Sequence, residues 1–309
     1  MKRSNKYSFL VPNGDNSQIT RNDFPPDFTF GTGTSAYQHE GAATRGDRVA
    51  DGSNANVTVD MYDRFKEDID YMKKMGLDAF RFSISWPRVL PGGRRAAGVN
   101  KEGIKFYNEV IDTLLANELC FWEFGDRVKY WVTLNEPWSY TTSGYAQCLF
   151  PPSPPQNVPG SLENIGVTYK ASKKLLSLYQ DSNAAGNTAG VDEVNNPKLT
   201  PRKACVDPIR VKYHQDHLAN ILLAMTRDGV NVKGYFVWSW CDNFEWTTGY
   251  LARFGLMYVD YKNDLARYPK DSALWFAKFL VRMPKTPSNK RIANFVDTES
   301  QKKLRAMEE

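Results

Sequence analysis

Apolar residues recur at helical spacing in several separate stretches, with short β-prone runs between them. From Met61 to Met75, Tyr62, Phe65, Ile69, Met72 and Met75 fall three or four positions apart. This is the stripe of an amphipathic helix, and Gly76 follows as a C-cap. The same spacing predicts a helix over Asn100–Ala116, with Ile104, Tyr107, Val110, Ile111, Leu114 and Leu115 on one side. Thr200-Pro201 reads as an N-cap with proline at the first helical position, and the helix it opens should run to about Arg227, before Asp228-Gly229. A last helix is expected over Asp271–Val281. Strands are expected at Asp78–Trp86 (DAFRFSISW), Val128–Leu134, Val232–Trp240 (VKGYFVWSW) and Gly255–Tyr261, and within Phe24–Gly41, which continues into a polar loop. Ala79–Trp86, Val128–Leu134 and Val232–Trp240 carry apolar residues on both faces, as buried parallel strands do. The β-α-β-α order argues for an α/β fold with a parallel sheet and flanking helices.

The rhythm then breaks. Asn117-Glu118 runs directly into Leu119–Asp126, with no strand between two helical pieces. Pro151-Pro152-Ser153-Pro154-Pro155 is an extended segment, Leu162–Gln180 a possible helix, and Asp181–Gly190 (DSNAAGNTAG) a loop by its small polar composition. Residues 150–190 therefore read as a degenerate linker inside one domain spanning 23–281. A polar arm is expected at 1–22 and a basic-then-acidic disordered tail at 282–309.

Hydrophobic residues make up 41% of the 309, enough for a core, so the composition is that of a globular protein. The net charge of +5 is too mild, and too concentrated at the termini, to point to nucleic acid. Met1–Asn22 lacks the apolar core of a secretory signal, and no run of 18 apolar residues suggests a membrane span. A cytoplasmic or nuclear location is expected, the latter from Lys285, Lys290, Arg291, Lys302, Lys303 and Arg305. Cys120, Cys148, Cys205 and Cys241 lack zinc spacing and read as reduced, buried thiols. With only His39, His214 and His217, no metal site is expected, and no cofactor. His214 and His217 are taken as a solvated helix face. The glycines of FGTGTSAYQHEG do not fit a dinucleotide fingerprint.

The chemistry begins at Trp131-Val132-Thr133-Leu134-Asn135-Glu136-Pro137. Glu136 closes a β-rich run, and Pro137 holds Asn135-Glu136 extended. In a β/α barrel the C-terminal ends of the strands carry the active site. A retaining glycosidase places two carboxyl groups there, about 5–5.5 Å apart. Four segments in this order, FGTGTSAYQHEG, FRFSISWPRVLPGG, WVTLNEP and VWSWCDNFEW, resemble family 1 glycoside hydrolases, the β-glucosidases built on a (β/α)8 TIM barrel. VLPGGRRAAGVNKEG, CFWEFGDRVKYW and YHQDHL are most similar to plant enzymes that deglucosylate alkaloids. The resemblance spans Phe24–Tyr145 and Val191–Leu280. It implies that Gln38 bonds sugar hydroxyls, that Asn135 contacts the 2-hydroxyl and that Glu136 is the acid/base. It also implies that Trp238 is the platform under the sugar, that Glu245 and Trp246 bind the far hydroxyls, and that Arg81 holds the nucleophile's carboxylate.

Departures from the family pattern are equally informative. The third strand, with a sugar-binding His, is missing between Asn117 and Glu118, the loop near Asp47–Asp51 is short, and strands five and six are not visible. The family nucleophile lies in a Thr-Glu-Asn-Gly motif on strand seven. Reading back from Gly190 places Thr188 at the Glu and Ala189 at the Asn. A hydroxyl is a far weaker nucleophile than a positioned carboxylate, and Asp192 and Glu193 are the nearest substitutes. The expectation is an incomplete barrel, with strands three and five to seven missing or degenerate, and an inactive or impaired pseudoenzyme. Its ligand would be a β-glucoside if the site survives. Alternatives are a protein that self-associates or joins full-length glucosidases as a regulatory subunit, and a non-functional fragment.

Overall fold

The computed structural model describes residues 19–41, 54–117 and 186–281. The chain divides into two compact units, residues 122–185 and the remainder, and every described residue belongs to the second of these. Asn135, Glu136, the Val128–Leu134 strand, the Leu162–Gln180 helix, Cys120, Cys148 and both tails lie outside the described residues.

A four-stranded parallel sheet organises the unit. In chain order its strands are β1 (Thr29–Gly33), β2 (Ala79–Arg81), β3 (Gly186–Ala189) and, after two intervening helices, β5 (Gly234–Trp238). Across the sheet the order is β2-β1-β5-β3. The first strand thus sits between the second and the last, so the beginning and end of the fold pair directly, as they do at the closing seam of a barrel. Close approach explains Gly31: a Cβ there would lie 2.4 Å from the Phe236 ring and 2.7 Å from the Ala79 carbonyl oxygen.

The helices follow the hydrophobic pattern. α1 (Ala36–His39) leaves β1, α2 covers Met61–Met75, α3 is the short Trp86–Val89 and α4 covers Lys101–Ala116. Gly76 caps α2 at φ 79°, the left-handed conformation that only glycine adopts cheaply. Asn100 caps α4, its side chain accepting the Glu102 N–H at 3.1 Å. Phe65, Ile69, Met72 and Met75 of α2 are buried, as are Phe106, Tyr107, Val110 and Leu114 of α4. They join one core with Phe24, Phe28 and Phe30 and with Phe276 and Phe279 of the closing helix, α7 (Asp271–Leu280).

Several elements depart from the hydrophobic reading. Asp78–Trp86 shortens to three ladder residues because its backbone groups take side-chain partners: Ser85 N–H donates to the Tyr107 hydroxyl at 2.7 Å. The expected helix from Thr200 divides into α5 (Pro201–Ala204) and α6 (Pro208–Thr226). Pro208 cannot donate to a continuing helix, and the Asp207 carboxylate is drawn into Ser272 and Arg210. Gly255–Tyr261 supplies a strand, β7 (Met257–Asp260), but it pairs antiparallel with β8 (Ala266–Pro269), outside the parallel sheet. Asp181–Gly190 is not wholly a loop, since Gly186–Ala189 forms a ladder with β5, with Thr188 opposite Phe236. A β-prone neighbour outweighs weak local propensity there. His214 is buried, not solvated, and its Nδ1 lies 2.7 Å from the Tyr235 hydroxyl, whereas His217 is exposed. Cys205 and Cys241 are free, buried thiols.

Among the described residues no helix is long and apolar enough to cross a membrane, and no group of three His, Cys, Asp or Glu could hold a metal ion.

Candidate functional site

The register brings the strand ends together in one layer. Gly33 is opposite both Arg81 and Trp238, and Ala189 is opposite Val237, one residue earlier. The candidate residues Arg81 and Trp238 are therefore the last residues of β2 and β5, separated only by a glycine. The Arg81 guanidinium carbon lies 5.9 Å from the centroid of the Trp238 ring, and its Nη1 donates to the Thr34 carbonyl at 3.0 Å. The exit of β3 presses on the same tryptophan. A Cβ on Gly190 would lie 2.3 Å from the Trp238 carbonyl oxygen, so this position admits only glycine without a backbone shift.

Two connections build the rest. After β1, the turn into α1 is set by Ala36 N–H donating to Ser83 Oγ at 2.8 Å, and α1 presents Gln38. After β5, the chain crosses a cis Trp238–Ser239 bond and runs through Asn243 to Glu245 and the 3-10 turn Trp246–Thr248. The two connections are joined by Phe244 N–H donating to the Gln38 carbonyl at 3.2 Å. Gln38, only 2% exposed, donates through Nε2 to Glu245 Oε2 at 3.1 Å and accepts from Ser35 Oγ at 2.6 Å. Asn243 Nδ2 also donates to Glu245 Oε2, at 3.0 Å. Trp246 is 38% exposed at φ 44° and stacks on Tyr37, with centroids 5.5 Å apart and planes at 11°.

The surroundings are buried and strongly charged. His39 lies edge-on to Trp238, with centroids 5.9 Å apart. Burial holds its imidazole neutral, with a pKa of about 3. Its Nδ1 meets Ser35, while Nε2 has no hydrogen-bond partner among the described residues. Glu40 is pushed up by burial despite Arg88 at 3.0 Å, and Tyr107 donates to both its oxygens. Beneath the β5 connection Asp242 is buried between Arg253 at 2.5 Å and Lys270 at 2.8 Å. Burial alone would raise the Asp242 carboxyl, but Lys270 and Arg253 hold it below the usual range. Lys270 is in turn lowered by its own burial.

Of the expected site residues, the structure gathers Gln38, Glu245, Trp246, Trp238 and Arg81 around the ends of β1, β2 and β5. Thr188 lies in β3, two residues before the glycine that touches Trp238. Of the two substitute carboxylates, Asp192 is exposed, and Glu193 accepts from buried Arg210 at 2.9 Å, with Lys270 at 3.9 Å. Hydrophobic patterning passed over Ser35, Tyr37, Ser239 and Asn243. The available signal was the run of polar side chains in CDNFEW directly after an apolar strand, where buried polar groups need partners.

Parallel strands that end in a layer of tryptophan, arginine and paired amide and carboxylate side chains define a carbohydrate-active barrel of the glycoside hydrolase kind. The family model "Glycosyl hydrolase family 1" matches residues 20–119, 117–204 and 185–283, and the chain belongs to that family. Raucaffricine-O-beta-D-glucosidase of Rauvolfia serpentina is 29% identical, with 96% of this chain and 99% of the relative covered. Ipecac alkaloid beta-glucosidase 9 of Carapichea ipecacuanha is 30% identical, with 88% and 94% covered. The first alignment runs over 535 positions against 309 residues here, so this chain is shorter than its relative. A crystal structure of the rice Os3BGlu6 beta-glucosidase superposes with a TM-score of 0.72 at 26% identity, covering 85% of this chain and 100% of that one. A family 1 β-glucosidase from Thermotoga maritima, at 23% identity and TM-score 0.64, shares the fold, with 83% and 97% covered. The four-stranded sheet is thus part of a (β/α)8 barrel fold, and the chain is β-glucosidase-like.

Proposed function

We propose that this chain recognises β-glucosides without hydrolysing them at an appreciable rate. In this reading Gln38, Glu245 and Trp246 hold the sugar hydroxyls, Trp238 is the platform beneath the ring, and Asn135 and Glu136 retain the roles of 2-hydroxyl contact and acid/base. The observation that carries the reading is strand β3. Gly186–Ala189 pairs with β5 where the family pattern expects strand seven, and its sequence, Gly-Asn-Thr-Ala, contains no carboxylate. A retaining mechanism needs a carboxylate there to form the glycosyl-enzyme intermediate. Glu193 is an unsuitable replacement because Arg210 and Lys270 already engage it, and a nucleophile must be held in near-attack geometry. The names of the relatives make an alkaloid glucoside the natural choice of ligand.

The test is twofold. Purified protein is incubated with an aryl β-glucoside and with an alkaloid glucoside, beside a full-length relative. Binding of phenyl 1-thio-β-D-glucoside, which resists hydrolysis, is followed by tryptophan fluorescence. Binding without turnover is expected. Turnover comparable to the relative, abolished by Glu136→Gln, would overturn the proposal.

A further inference from the structure

The contacts around Glu245 point to a residue that touches no sugar in the proposed site yet sets its shape. Glu245 Oε2 accepts two N–H groups, from Gln38 at 3.1 Å and from Asn243 at 3.0 Å. Gln38 is itself oriented, because Ser35 Oγ donates to its Oε1 at 2.6 Å and leaves Nε2 facing the carboxylate. Asn243 is oriented from behind. Its Nδ2 also reaches the Phe244 carbonyl at 3.3 Å, and its Oδ1 lies 2.9 Å from Ser239 Oγ. The single Ser239 hydroxyl proton is shared between Asn243 Oδ1 and the Cys241 carbonyl, 2.6 Å from Oγ, which fixes the hydroxyl in place. Turning the Asn243 amide over would set its oxygen against both the Phe244 carbonyl and the Glu245 carboxylate, so the orientation is determined. Ser239 and Asn243 are buried, at 0% and 1% exposure, so water cannot replace these bonds.

We infer that Asn243 is the positioning residue of the glucoside site. It holds Glu245 against Gln38 so that the two present their remaining donors and acceptors as one unit. The inference rests on the proposed recognition of β-glucosides by these two side chains, but the geometry it describes stands apart from that reading. Asn suits the place because it is neutral and donates towards a carboxylate while accepting from a hydroxyl behind it. A carboxylate at 243 would stand about 3 Å from Glu245, and two like charges at that separation cannot both ionise freely.

Asn243→Asp and Asn243→Ala are compared with the parent chain, with phenyl 1-thio-β-D-glucoside as the probe. Asn243→Ala is expected to weaken binding about tenfold, the loss typical of one hydrogen bond to a charged group. Asn243→Asp keeps the size of the side chain and changes the pH profile. Below about pH 6 the introduced carboxyl shares a proton with Glu245, restores the donor and binds nearly as the parent does. Towards pH 8 both ionise, Glu245 swings off Gln38, and affinity drops relative to the parent. A structural role without positioning would leave the shape of that profile unchanged. A profile for Asn243→Asp superimposable on the parent's would therefore overturn the inference. If the parent binds no glucoside, the recognition reading fails separately, and the Glu245 carboxyl carbon is followed by NMR. Its titration is expected to move upward in Asn243→Asp, and an unchanged titration would refute the positioning role.

Discussion

Replacing Asp242 with Asn should cost this protein a large part of its stability, and the structure allows the size to be worked out. Asp242 is fully buried and serves two cations, Arg253 at 2.5 Å and Lys270 at 2.8 Å, while accepting the Gly255 N–H at 3.0 Å and the Val259 N–H at 3.4 Å. Asn keeps the volume and can still accept from one amide, so cavity formation contributes little. What is lost is the charge that balances two buried cations. Removing one partner of a buried ion pair costs about 3–5 kcal/mol. Lys270 can limit its share by giving up its proton, because burial already lowers its pKa and Asp242 is the main influence opposing that. Arg253 cannot deprotonate, but it keeps the Asn195 side chain at 2.8 Å and the Val259 carbonyl at 3.0 Å. An expected loss of about 3–4 kcal/mol follows, out of a typical total of about 5–15 kcal/mol. For a unit of this size that corresponds to a fall in Tm of roughly 6–15 °C. The assay is thermal unfolding by circular dichroism at pH 7, with urea titration as a second measure. The double variant Asp242→Asn/Lys270→Met should recover part of the loss, since an apolar side chain needs no counter-charge. A Tm for Asp242→Asn within about 1 °C of the parent's, or further destabilisation by the second change, would refute the electrostatic account.

Other expectations are equally concrete. Burial lowers the pKa of both His39 and His214 from 6.5 to about 3. Between those limits the unfolded chain binds protons that the native state refuses, so stability falls as pH drops from about 6.5 towards 3, by about 1.4 kcal/mol per unit for each imidazole. His39→Val should flatten that slope in a Tm-against-pH series, and an unchanged slope would contradict it. Thr188→Glu alone should not restore aryl-glucoside hydrolysis, because a nucleophile works only when held within about 0.5 Å of its productive place; recovered turnover would show a more complete site than proposed. Gly190→Ala should cost about 1–3 kcal/mol by forcing β3 away from the Trp238 carbonyl, and a variant with the parent's Tm and tryptophan emission would refute that close approach.

How much of this was legible in the chain depended on whether a residue's fate was decided locally. The Met61–Met75 helix was readable to its ends, because stripe, capping glycine and length agreed. The helix expected over Asn100–Ala116 was readable to within one residue, Asn100 being its cap and not its first turn. The strand expected over Asp78–Trp86 was readable as a place but not as a length, since Ser85 N–H donates to the Tyr107 hydroxyl and Ser83 Oγ accepts the Ala36 N–H, contacts that no periodicity reveals. β3 was hidden because Gly-Asn-Thr-Ala has little strand propensity of its own and depends on Gly234–Val237 beside it. The break at Asp207 and the burial of His214 depend on Ser272 and Tyr235, both distant in sequence and on other elements. The motifs singled out Gln38, Trp238, Glu245 and Trp246, which lie around the ends of β1 and β5. The residues that orient them, Ser35, Ser239 and Asn243, were invisible because their importance lies in hydrogen bonds rather than in residue type.

The placement of these neighbours leads to one more expectation. Gln38 comes from the connection after β1, and Glu245 and Trp246 from the connection after β5. Those two strands pair along five residues, from Thr29 opposite Gly234 to Gly33 opposite Trp238. Gln38, Trp238, Glu245 and Trp246 are thus carried by two strands, or the connections after them, that support each other directly. Under the proposed function, absence of a nucleophile carboxylate need not disturb recognition by these side chains. Removing Trp238 should weaken recognition strongly, whereas removing Glu136 should not. Losing the indole face as a platform costs about 1.5–3 kcal/mol of apolar contact, which is roughly a 10- to 150-fold loss of affinity. Fluorescence or calorimetric titration with phenyl 1-thio-β-D-glucoside should therefore show Trp238→Ala weakened by at least that lower factor and Glu136→Gln within about twofold of the parent. If Glu136→Gln lost binding as severely as Trp238→Ala, the glucoside would depend on Glu136 as much as on Trp238, and the proposed assignment of recognition to Gln38, Trp238, Glu245 and Trp246 would be wrong.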